Sequence, residues 1–163
     1  MFVLHTNPDE NTPGGTGVIV DTCVLVDIAL STRARHAQAV DLARCLRKHD
    51  IVIRAPMHAA FEFMCAIRQE VHQLGGRHSS WAAGTGDNER IDIWPVPIDA
   101  EFVARYPMQN LPDMRSGDLL FLAMALGDNQ ALVTEDDDLF RKAQLAGVRV
   151  FRIATYLASE CTR

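Results

Sequence analysis

The sequence predicts an α/β domain of three layers, α/β/α, around a mostly parallel sheet of about five strands. Short apolar runs rich in β-branched residues recur along the chain, stretches of helical periodicity separate them, and acidic residues stand where several runs end. Strands alternating with helices at these lengths imply parallel pairing under helical cover. The 163 residues, 48% hydrophobic and 23% charged, suit one globular domain with a substantial core.

Residues 1–16 hold Pro8, Pro13 and the Gly14-Gly15 pair with little periodicity, and read as a flexible tail ahead of one folded domain over 17–163. Gly17-Val18-Ile19-Val20 is continuously apolar, as expected of a strand covered on both faces, and Asp21 stands at its end. Helical spacing follows over 22–30 and 33–48, with Thr32 as the expected cap of the second piece. Ile51-Val52-Ile53 gives the second strand, closed by Pro56. From Met57 the residues Ala60, Phe61, Met64, Ile67, Val71 and Leu74 recur at steps of three and four, marking one face of a long helix with Glu62 beside that stripe.

Residues 75–90 mix glycines with polar residues around an isolated Trp81 and read as a loop. Ile91-Asp92-Ile93-Trp94, bounded by Pro95 and Pro97, suits a strand nearer the sheet edge. Asp99 suits the cap of a short helix ending near Tyr106-Pro107. The run from Ser116-Gly117-Asp118 to Leu126 is apolar nearly all round, the pattern of a buried helix, and Gly127 and Asn129 stop it. Ala131-Leu132-Val133 is the fourth strand, 134–138 an acidic turn, 139–146 a helix ending at Gly147, and 148–151 the fifth strand.

In a parallel α/β sheet the strand-to-helix loops open at the C-terminal edge, where ligands collect. Asp21 directly follows the first strand and Asp136 follows the fourth by two residues, so both are expected over that edge. Asp118 opens the buried helix, and Glu62 lies about one and a half turns into the long one. Taken singly, each Asp is an ordinary cap or turn residue and Glu62 an ordinary solvated one. Jointly placed, they would repel one another unless a cation sits among them, and magnesium or manganese takes such oxygen ligands.

These residues resemble the PIN domain family, which includes the VapC-type ribonuclease toxins of toxin–antitoxin pairs. The resemblance runs over roughly 17–153 and rests on four pieces in order: Val20-Asp21-Thr22 with Val24-Leu25-Val26-Asp27; Ala55-Pro56 followed by Glu62; Ser116-Gly117-Asp118-Leu119-Leu120 with Ala123-Met124-Ala125-Leu126; and Leu132-Val133-Thr134-Glu135-Asp136-Asp137-Asp138-Leu139. It implies a divalent-metal-dependent endoribonuclease, the toxin of such a pair, with Mg2+ or Mn2+ held by Asp21, Asp118 and Asp136. Glu62 would complete the shell or orient the attacking water, and Thr134 would assist. The acidic turn leaves Asp136 or Asp138 as the fourth acid, with Asp136 favoured. Implied partners are an RNA substrate, a cognate antitoxin and a second copy in a homodimer. The alternative is a PIN-like scaffold that binds RNA or protein without turnover, and a phospho-acceptor reading is disfavoured because Thr22-Cys23 follow Asp21 in place of a second acid.

The net charge of −5 argues against gripping nucleic acid by bulk positive charge, although the basic residues are mainly arginines, the side chain shaped for phosphate. Arg33, Arg35, Arg68, Arg77, Arg90 and Arg115 are candidate phosphate contacts, Trp81 a candidate stacking residue, and His58 a neighbour of Glu62. Cys23, Cys45, Cys65 and Cys161 form no C-x-x-C pair or zinc-type spacing and are expected to be reduced. With no signal peptide or membrane-spanning run, the expected location is cytoplasmic.

Overall fold

Every strand runs parallel to its neighbours. The computed structural model describes residues 2–4, 17–73 and 91–161. In chain order its elements are β1 (Phe2–Leu4), β2 (Gly17–Val20), α1 (Thr22–Ala29), α2 (His36–Lys48), β3 (Val52–Pro56), α3 (His58–Gln73), β4 (Ile91–Val96), α4 (Ala100–Arg105), α5 (Ser116–Gly127), β5 (Ala131–Val133), α6 (Asp137–Leu145), β6 (Val150–Phe151) and α7 (Ile153–Glu160). The sheet order is β1-β4-β3-β2-β5-β6.

That order dictates the layers. The chain steps from β2 to β3 to β4 in one direction, then returns across β2 to β5 and β6. Right-handed crossovers therefore place α1, α2 and α3 on one face of the sheet and α5 and α6 on the other. The packing agrees: α1 lies against α2 and α3, α2 against α7, and α5 against β2, β3, β5 and α6. Covered on both sides, Val18, Ile19 and Val20 are fully buried, which is why β2 is apolar without alternation. Phe121 to Ala125 of α5 are buried with them, while Leu126 is 46% exposed where the helix runs out.

The five strands read from the sequence are β2 to β6, and a sixth joins them among the described residues. Phe2–Leu4, expected in a loose tail, pairs instead with Ile91–Ile93 as an edge strand. The rest of the expected tail, and the 75–90 loop with Trp81, Arg77 and Arg90, lie outside the described residues. Asp99 caps α4 as expected, accepting the Phe102 amide at 2.9 Å, and Gly147 ends α6 with a φ of +78° that favours glycine.

Three local expectations fail, and one helix was not foreseen. Thr32 does not cap α2, whose first turn follows Arg35; its hydroxyl donates to Glu70 on α3 at 2.8 Å. On α3 the residues turned to the core are Ala59 and Ile67, with Phe63 partly buried, whereas Phe61 and Met64 are 73% and 63% exposed. The stripe read from the sequence mixes two faces because α3 is apolar on more than one side. The chain closes with α7, too short for its periodicity to stand out. Finally, Cys45 of α2 and Cys161 after α7 form a disulfide across 116 residues, a separation that leaves no local spacing signal. Cys23 and Cys65 are free.

Candidate active site

The chain reverses direction across the sheet between β2 and β5, and in an open α/β sheet that switch point opens a crevice at the strands' C-terminal ends. Asp21 stands there. Its amide donates to the Val133 carbonyl at 3.0 Å, extending the β2–β5 ladder by one residue. Although Asp21 precedes the first turn of α1, its side chain makes no capping hydrogen bond. Oδ2 instead accepts from the Thr134 hydroxyl at 2.7 Å and the Cys23 thiol at 2.9 Å. The carboxyl is 6% exposed; burial raises its pKa, and the Cys23 and Thr134 hydrogen bonds oppose that rise. Burial and the Asp21 charge push the Cys23 thiol up, keeping it a protonated donor.

Thr134, wholly buried at the end of β5, links two acids. It donates to Asp21 and accepts the Asp136 amide at 3.0 Å. Asp136 in turn caps α6, its Oδ1 accepting the amides of Asp138 and Leu139 at 2.8 and 2.9 Å. The capping role is real and coexists with a place at the site. Asp138 belongs elsewhere: Arg141 and Lys142 hold its carboxylate on the surface of α6, Lys142 foremost in keeping its pKa low. The turn is fixed from behind by α7, where Glu135 accepts the Ile153 amide at 2.8 Å and Arg152 donates to the Thr134 carbonyl at 3.3 Å.

Glu62 and Asp118 come from helices on opposite faces of the sheet and meet over its edge. Glu62 Oε2 accepts the Thr22 hydroxyl at 2.7 Å, and its Oε1 lies 3.7 Å from His58 Nε2, an ion-pair distance beyond hydrogen-bond reach. A Cβ placed on Gly117 would sit 3.0 Å from both Glu62 Oε1 and His58 Nε2, so glycine there lets the Glu62 carboxylate keep its place against the start of α5. The next residue, Asp118, has its pKa raised first by burial, then by the charges of Asp21 and Asp136, with Glu62 adding and Arg115 opposing.

The charges of Asp21, Asp136 and Glu62 thus all act on Asp118, whereas Asp138 is paired with Arg141 and Lys142 on the surface of α6. The donors are all hard carboxylate oxygens, and their mutual repulsion is what a divalent cation would offset. Among the described residues no three His, Cys, Asp or Glu groups are drawn tightly enough together to form a ready cage. Magnesium needs none, since it keeps several waters and takes one or two carboxylates. The donor set fits such an ion.

Three residues here escape the sequence reading. Thr22 positions Glu62, Cys23 donates to Asp21, and Gly117 admits the Glu62 carboxylate. The one signal for them is adjacency: Thr22 and Cys23 directly follow one acid, and Gly117 directly precedes another.

Nothing among curated proteins matches the chain. Among solved structures it is similar to VapBC2 from Rickettsia felis bound to a DNA fragment from their promoter, with a TM-score of 0.51 and 16% identity, covering 84% of this chain and 98% of that one. It also matches FitAB bound to an IR36 DNA fragment, with a TM-score of 0.49 and 17% identity over 83% of this chain and 94% of the other. At such identities the first likeness shows a shared fold. The family model described as PIN domain matches residues 18–145, from β2 through the acidic turn to the end of α6, and the chain belongs to the PIN domain family.

Proposed function

We propose that the protein is a divalent-metal-dependent endoribonuclease and the toxin of a toxin–antitoxin pair. The observation that carries the reading is the placement of Asp118 at the switch point of the sheet, where burial first, and then the charges of Asp21, Asp136 and Glu62, raise its pKa. Acids from three other segments act on Asp118 there, which supports a role beyond the structural one. PIN domains are typically nucleases, which agrees with this arrangement.

Asp21, Asp118 and Asp136 would hold Mg2+ or Mn2+, with Glu62 completing the shell directly or through water. Such an ion supplies a bound water of lowered pKa and offsets negative charge growing on the phosphate. The chain's own work is positioning. Thr134 and Cys23 fix Asp21 Oδ2, and the α6 cap fixes Asp136 Oδ1. Thr22 holds Glu62 Oε2, leaving Oε1 to take the proton of the water that attacks phosphorus.

A toxin needs a cover. Phe61 and Met64, three residues apart on α3 and so neighbours on one exposed face, offer apolar surface on the helix that carries Glu62, and a cognate antitoxin segment with apolar residues would bury them. The structure of similar fold is a VapBC complex bound to promoter DNA, which supports a partner of this kind. A homodimer and a cytoplasmic location belong to the same proposal; no helix among the described residues is long and apolar enough to cross a membrane.

The test is cleavage of single-stranded and hairpin RNA by the full chain with Mg2+, with Mn2+ and with chelator, alongside Asp21→Asn. Metal-dependent cleavage lost in Asp21→Asn supports the proposal. Absence of cleavage in both proteins, with RNA or protein binding retained, would favour the scaffold reading instead.

A further inference from the structure

Asp27, in the last turn of α1, is 1% exposed. Its Oδ1 accepts from Arg33 Nε at 3.1 Å, its Oδ2 from Arg35 Nε at 2.7 Å, and its carbonyl lies 3.0 Å from His36 Nδ1. A buried carboxylate needs a partner, and one arginine would serve. Here two share it. Each engages through Nε, and both side chains remain 42% exposed. Among the described residues the terminal nitrogens of Arg33 and Arg35 donate no hydrogen bond.

Arg35 also stands near the edge that carries the acids. Arg35 Nε is 4.0 Å from Glu135 Oε2, and Glu135 is the residue before Asp136. A guanidinium held by its Nε is fixed in orientation while its outer edge stays available, the geometry suited to bidentate contact with a phosphate.

We propose that Arg33 and Arg35, braced by Asp27, form a phosphate clamp that grips the RNA backbone beside the acidic site. The inference rests on the ribonuclease reading for its ligand. It explains how a chain of net charge −5 holds a polyanion: the contact is local and built rather than diffuse.

The test measures binding apart from cleavage. Fluorescence anisotropy of a labelled, unstructured single-stranded RNA is recorded against the full chain carrying Asp21→Asn, with Arg33→Ala, Arg35→Ala or Arg149→Ala added, across a salt series. Loss of one single-strand phosphate contact weakens binding about fourfold at ~0.15 M salt and lowers the salt slope by about 0.7. The proposal expects that change for Arg33 and Arg35 and none for Arg149, which is exposed before β6. Equal affinities and slopes in all three, or no RNA binding by the parent protein, overturn the clamp. Should an alanine variant unfold, Arg33→Lys and Arg35→Lys keep a charge for Asp27 but lose the fork; weaker binding supports the clamp and parental binding overturns it. If wild-type protein binds RNA through these arginines yet never cleaves it, the clamp stands and the nuclease reading falls.

Discussion

Thr134 and Asp21 are 113 residues apart in the chain and joined by a 2.7 Å hydrogen bond in the fold. The bond lies in the seam between β2 and β5, where the sheet changes winding direction, and it ties the first acid to the turn that carries the last. One buried hydroxyl thus sets the relation between two carboxylates.

Replacing that hydroxyl by a methyl, Thr134→Val, keeps the volume and removes both of its hydrogen bonds. Loss of an outer partner of a metal ligand costs about 10-fold to 100-fold in metal affinity or activity. The expected result is a loss of that size in cleavage rate with a lower affinity for Mn2+, read by single-turnover kinetics and metal titration. Wild-type values in both would show that Thr134 serves packing alone.

Asp21 and Asp118 carry raised pKa values, so the folded protein binds protons more tightly there than the unfolded chain does. Without divalent metal, the burial of both, and the neighbouring charges on Asp118, destabilise the fold at neutral pH. The penalty is relieved as pH falls through the raised folded values and is gone below the ordinary 3.8. Apo protein should therefore gain stability as pH falls from neutral through the raised folded values, before general acid unfolding sets in. Asp118→Asn should abolish cleavage, weaken that pH dependence by the Asp118 share while that of Asp21 remains, and raise the neutral-pH Tm of the apo protein. Thermal melts of apo protein across pH measure this, and a Tm lowered by Asp118→Asn would contradict it.

Asp136 and Asp138 should separate cleanly. Asparagine caps helices about as well as aspartate, so Asp136→Asn should keep stability and lose cleavage, whereas Asp136→Ala should lose cleavage and about 0.5–2 kcal/mol. Asp138→Asn removes only its pairs with Arg141 and Lys142 and should leave cleavage near wild type. The reverse pattern, with Asp138 essential and Asp136 dispensable, would reassign the fourth acid.

Gly117→Ala places a methyl 3.0 Å from Glu62 Oε1 and His58 Nε2. Glu62 is half-exposed and can swing away, so the fold should survive while the carboxylate is displaced. Misplacement by about 1 Å costs up to ~100-fold in rate. Reduced cleavage at an unchanged Tm is the expected outcome, and full activity would mean that Glu62 Oε1 has no part in the reaction.

What could be read from the sequence was what repeats locally. β2 and β5 were legible because burial on both faces demands continuous apolar residues; Asp21, Asp118 and Asp136 stood out as candidates because they follow those strands or open a helix, whereas Glu62, inside α3, carries no such mark. Asp136 was separable from Asp138 only in three dimensions, by where Arg141 and Lys142 reach. Pairings across the chain left no trace: Thr22 with Glu62, Cys45 with Cys161, and β1 with β4 each join segments with no shared periodicity. The α3 stripe misled because Phe61 and Met64 are as apolar as the residues that face the core, and apolarity alone does not say which side is covered.

The central claim is that Asp21, Glu62, Asp118 and Asp136 meet around one cation. A crystal of the full chain soaked in Mn2+, with anomalous scattering recorded at the manganese edge, tests it most directly. The account predicts a peak between Asp21 and Asp118, within coordination distance of at least two of the four carboxylates and absent in Asp21→Asn. Manganese bound only at Asp138 or elsewhere on the surface, with these four carboxylates bare in the soaked crystal, would contradict it.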